Sequence, residues 1–89
     1  MHDWKARLTQ RMELPAELLD DMPRLTLTGG NSVLVENHRE LLAYTGEMIE
    51  VGCGRLHLRI RGEALLLRAM DRSELLVTGT IYSVEVLGA

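Results

Sequence analysis

The sequence predicts a mainly β fold: an antiparallel meander of about eight short strands behind a short helical N-terminus. Three observations carry this. From Arg24 onward, runs of strand length alternate apolar and polar residues with period two, as a half-buried strand requires. Turn residues punctuate those runs about every eight positions: Gly30, Gly46, Gly54 and Gly62 stand 16, 8 and 8 apart, and Gly79 comes 17 later. Asn37-His38 and Asp71-Arg72 fill the missing beats. Third, the 89 residues are 46% hydrophobic but only 3% aromatic, too apolar for a disordered chain, with a core of Leu, Val, Ile and Met. That length fits one small domain. The meander must hide one face, as a rolled sheet, a small barrel or a sandwich. A short β-solenoid is the alternative; turns of two or three residues favour hairpins over solenoid corners.

Residues 1–23 read as a helical N-terminal segment. Trp4, Leu8 and Met12 recur at i, i+4 and i+8, Asp3 is placed to cap that stripe, and Pro15 opens a second short piece carrying Leu18 and Leu19. Pro23 closes the segment. Residues 24–89 form the β-meander, with runs at 24–28, 32–36, 40–44, 48–51, 55–60, 64–68, 74–78 and 82–87, each ending in a turn former. The wording Leu27-Thr-Gly29, Ile60-Arg-Gly62 and Val77-Thr-Gly79 is a weak internal repeat that suggests duplicated hairpins.

Charge and cysteine usage narrow the function. Ten basic residues, nine of them Arg, face 13 acidic ones, and the net charge of −3 argues against bulk binding to nucleic acid or an anionic membrane. Cys53 stands alone, so neither an intramolecular disulfide nor a cysteine metal cluster forms. No apolar run exceeds the four residues of Ala64–Leu67, and the charged N-terminus lacks the apolar stretch of a secretory signal. The expectation is a soluble cytoplasmic protein.

The most regular local pattern is Arg55-Leu-His57-Leu-Arg59-Ile-Arg61. Period two puts Arg55, His57, Arg59 and Arg61 on one face, a cationic row that suits an acidic partner or a lipid headgroup. The plainer reading is a solvated face paired across the ladder with Glu47 and Glu50. Glu36-Asn37-His38-Arg39 gathers four polar groups in one turn. Positions i and i+2 of a turn do not converge on one substrate, so a left-handed Asn37 braced by Glu36 and Arg39 explains it better than acid–base catalysis. His2, His38 and His57 share no metal-ligand spacing. Cys53, between two glycines at a hairpin tip, is placed for exposure, with Arg55 near enough to lower its pKa; incidental placement remains the preferred reading. The run Ile81–Leu87 carries one charge, Glu85, and is an edge that the N-terminal helices cap or that self-assembly uses. No cofactor, metal or small-molecule substrate is indicated, and the protein reads as a non-enzyme.

Leu14-Pro15, Pro23-Arg24-Leu25-Thr26-Leu27 leading to Gly30-Asn31, Val35-Glu36-Asn37-His38-Arg39, Tyr44-Thr45 and Ile49 resemble the YabP/YqfC family of sporulation proteins, closest to the YqfC branch. Gly62, Leu65, Leu67, Gly79 and Ile81 fit its glycine-punctuated pattern. The resemblance runs from about residue 13 to the end and leaves the Trp4–Met12 stripe outside. It implies a protein of endospore-forming bacteria, made in the mother cell, peripheral at the forespore-engulfing membrane, and an adaptor for a membrane sporulation protein encoded beside it. The family brings no catalytic residues; Glu36, Asn37, His38 and Arg39 are its signature turn. The alternative is a homo-oligomeric scaffold that assembles through its sheet edges.

Overall fold

Turn chemistry sets where most strands end, and a computed structural model describing residues 22–88 shows six of them. They are β1 (Arg24–Thr28), β2 (Ser32–Glu36), β3 (Glu40–Tyr44), β4 (Met48–Cys53), β5 (Leu56–Met70) and β6 (Glu74–Gly88). The predicted helical segment lies outside the described residues except for Met22 and Pro23.

Six strands replace the predicted eight because Gly62 and Gly79 do not turn the chain. The runs at 55–60 and 64–68 merge into β5, those at 74–78 and 82–87 into β6, each 15 residues long. What the glycines supply is closeness. A Cβ on Gly62 would stand 1.9 Å from the Thr80 carbonyl oxygen. One on Gly79, which has a φ of +135°, would stand 2.6 Å from the Ala64 carbonyl oxygen. In sequence alone, a glycine at a turn and a glycine where two backbones meet look the same.

Around those glycines the hairpin is bulged. Its register jumps from Glu63↔Thr80 to Leu66↔Thr78, so Ala64 and Leu65 oppose Gly79 alone. Tyr82 and Arg68 are each one residue too many between paired neighbours. Every extra residue exchanges the faces of the strand beyond it. Hence β5 buries Leu58 and Ile60 before its bulge and Leu65 after it. A flat strand of 15 residues would span ~50 Å; the molecule's longest extent is 39 Å. The hairpin bends.

The sheet order is β1-β2-β6-β5-β4-β3, antiparallel throughout. The predicted meander therefore holds for β3 to β6 only, while the β1–β2 hairpin joins the far side of β6. Antiparallel neighbours also exclude the solenoid. β2 pairs with Ser32–Glu36 against Thr78–Glu74 of β6, and β4 with Leu56–Arg61 of β5, so two half-sheets share the bent hairpin. One half supplies Val33, Val35, Leu75 and Val77, the other Ile49, Val51, Leu58 and Ile60, all at most 1% exposed and members of one cluster. The architecture is a single sheet rolled on itself. Burying each of these side chains contributes ~1.5–3 kcal/mol.

At the far tip, the Asp71 carboxylate accepts the N–H groups of Ser73 (2.9 Å) and Glu74 (2.7 Å). Those two bonds hold its pKa below the usual carboxylate value.

Two predictions follow from the hairpin. Gly62→Ala lowers stability by about 1–3 kcal/mol, because the clash is with backbone. Gly46→Ala, whose Cβ would meet nothing within 4 Å, leaves the urea midpoint nearly unchanged. A depressed carboxyl pKa stabilises the fold above the unfolded value of ~3.9 and loses that contribution as pH falls through the folded value. The stability gap between wild type and Asp71→Ala is therefore open at neutral pH and narrows as acid protonates the carboxylate; a gap that does not change with pH contradicts it.

Candidate protein-docking site

His57, Arg59 and Arg61 of the cationic row alternate along β5 with the buried Leu58 and Ile60, and Arg55 lies in the turn before that strand. Register sets Arg59 between Glu50 of β4 and Glu85 of β6, and Arg61 beside Ser83. Arg59 donates through Nε to Glu50 Oε2 (2.8 Å), with Nη2 2.7 Å from the same oxygen and Nη1 3.7 Å from Glu85 Oε1. The Nε of Arg61 is 3.4 Å from Glu85 Oε1. Arg55 and His57 are exposed and form no ion pair or hydrogen bond among the described residues. Of the expected partners Glu50 is found. Glu47 gives only its backbone oxygen, to the Gly62 N–H (3.0 Å). Glu85 takes its place, through a pairing 24 residues distant that no local spacing reveals. Part-exposed pairs of this kind contribute ~0–1 kcal/mol each; they hold guanidinium groups in place more than they hold the fold.

The signature turn joins the two half-sheets. Asn37 is left-handed at a φ of 68°, as the sequence predicts. Its Nδ2 donates to the Met22 carbonyl (2.9 Å) and its N–H to the Ser73 carbonyl (2.7 Å). The Arg39 N–H reaches the Gly52 carbonyl (2.8 Å), which carries the chain from β2 at one side to β3 at the other. His38 points inward, 6% exposed, and its Nδ1 has no hydrogen-bond partner among the described residues. Glu36 stays on the sheet between Arg24 and Glu74. The turn is a strap across the roll.

Beside the strap opens a cleft of about 520 Å³ lined by Met22, Pro23, Arg39, Cys53, Arg55 and Leu56. Cys53 belongs to the core rather than to an exposed tip, being 3% exposed. β4 extends to include it, with its side chain on the same face as Ile49 and Val51. Burial pushes the thiol pKa up, and the charge of Arg39, rather than Arg55, partly opposes that.

The family follows from these residues and their neighbours. The sequence profile of the YabP family matches residues 20–88, which includes every surface just described. The chain belongs to the YabP family. It is also 32% identical over 77 residues, 86% of this chain and 83% of the other, to the uncharacterized protein YqfC of Bacillus subtilis (strain 168). The family is associated with sporulation. No solved structure matches.

A buried, neutral thiol is a poor nucleophile. Native protein should react with a disulfide reagent at least ~100-fold more slowly than urea-unfolded protein, and equal rates would place Cys53 at the surface after all.

Proposed function

We propose that this protein serves sporulation as a non-enzymatic adaptor in the mother-cell cytoplasm. It sits peripherally at the forespore-engulfing membrane and docks on an acidic segment of the membrane sporulation protein encoded beside it. The docking surface is the outer row Arg55, His57, Arg59 and Arg61. The observation that supports this is the fixed presentation of the row: Glu50 and Glu85 hold Arg59 and Arg61 in place, while Arg55 and His57 stand exposed beside them. Guanidinium groups already ordered lose less entropy when a carboxylate binds, and their planar forks suit it. A self-assembling scaffold is the alternative, favoured by the unpaired stretch of β6 taken up below.

Arg55→Glu with His57→Glu tests the docking surface without touching the ion pairs of the fold. Co-purification of the neighbouring membrane protein should fall at least ~10-fold, and binding of the wild type should weaken as salt rises. Undiminished capture by the double variant sinks this surface.

A further inference from the structure

Strand edges on this roll are guarded unequally among the described residues. β1 is only five residues long. β3 opens on Glu40 and shifts register between Leu41 and Ala43. The edge of β5 at Leu66–Met70 contains the bulged Arg68, and the Tyr44 hydroxyl accepts its Leu67 N–H (3.0 Å). Short length, bulges, charge and capping all discourage strand addition.

The last part of β6, beyond the bulge at Tyr82, carries a single guarding charge, Glu85. Ser83–Gly88 pairs with Arg61–Leu56 without a shift. Its other side meets no described strand, because β2 stops at Thr78 and the Gly30 carbonyl closes the edge only as far as the Ile81 N–H (3.0 Å). Tyr82 and Val86 are 64% and 58% exposed there.

Backbone direction along this edge is fixed. The Gly62 N–H donates to Glu47 on the β4 side, so it points away from β6. Alternation along an antiparallel ladder then turns the N–H groups of Arg61 and Ser83 toward each other, and those of Val84 and Val86 outward. The edge offers regular donors and acceptors, unpaired among the described residues and flanked by Val84 and Val86.

We propose that a second copy of this chain covers the edge, β6 against β6 antiparallel, about a two-fold axis at Val84. Outward-facing residues must meet outward-facing residues, which leaves axes at Val84, Glu85 or Val86. An axis at Glu85 sets two carboxylates directly opposite, which is unfavourable. An axis at Val86 wastes Val84 on Gly88. The axis at Val84 sets Ser83 opposite Glu85 of the second copy, twice. Arg59 and Arg61 occupy only Oε1 of Glu85, so Oε2 is open to the Ser83 hydroxyl. Self-complementarity makes a second copy the occupant: every molecule presents the strand that its own edge accepts. The pairing is closed, so it yields a dimer and not an open series. It is independent of docking through the β5 row.

Light scattering on the full chain across a concentration series tests it. The expected mass rises to twice 10.0 kDa. Val86→Pro removes an outward donor and no internal ladder bond; Val86→Lys keeps the donor and adds a guarding charge. Each should raise the dimer dissociation constant at least ~10-fold with the circular dichroism spectrum unchanged. The lysine variant decides the matter if the proline variant does not fold. In a Cys53→Ser background, mixed Ser83→Cys and Glu85→Cys chains should form an intermolecular disulfide that neither forms as readily alone. A wild type that stays monomeric up to ~1 mM, or a dimer indifferent to Val86→Lys, overturns the edge. Cross-linking no better in the mixture than in either chain overturns the axis.

Discussion

Gly62 and Gly79 let the two longest strands cross at a separation that no side chain permits, and the other elements take their places from that crossing. With a Cβ at either position the backbones would have to part, by contact distances of 1.9 Å and 2.6 Å. Because they do not part, β5 and β6 bend together instead of running flat. The bend gives each strand two neighbours at different heights: β4 beside the first part of β5, β2 beside the first part of β6. Two half-sheets then face inward on one aliphatic cluster, and a chain with no Phe acquires a core.

The bulges near the crossing do the complementary work. A bent strand without them would carry its apolar residues to the wrong face beyond the bend. Ala64, Arg68 and Tyr82 are the residues left over; Ala64 and Tyr82 reset the alternation so that Leu65 and Val84 continue inward. The cost is polar irregularity at the middle of the hairpin. The benefit at the far end is a stretch of β6 that is regular and, among the described residues, has no strand on one side.

Function, on this reading, lives on outer surfaces. Among the described residues the interior is aliphatic, with His38 its buried polar exception, and the signature turn fastens the two halves. The β5 row and the β6 edge adjoin each other, since Glu85 stands on the edge strand and holds two arginines of the row. A dimer formed along β6 would carry two such rows on one continuous sheet. Two weak sites on one rigid body bind a clustered partner more tightly than either alone.

Period-two alternation determined that the chain is β from Arg24 onward, and it placed His57, Arg59 and Arg61 opposite the buried Leu58 and Ile60, because both depend only on neighbours along one strand; Arg55 lies in the turn before it. Local steric preference likewise determined the left-handed Asn37. Resemblance in Pro23–Leu27 and Glu36–Arg39 was enough to indicate the family. Tertiary structure decided the rest. Whether Gly62 turns the chain or admits Thr80 depends on a residue 18 positions away. Whether Arg59 meets Glu47 or Glu85 depends on the register of a hairpin with three bulges. Cys53 is buried because β4 runs two residues further than its alternation announces and keeps the side chain on the face of Ile49 and Val51. Such outcomes rest on contacts between distant segments, and a pattern local to one segment contains no term for them.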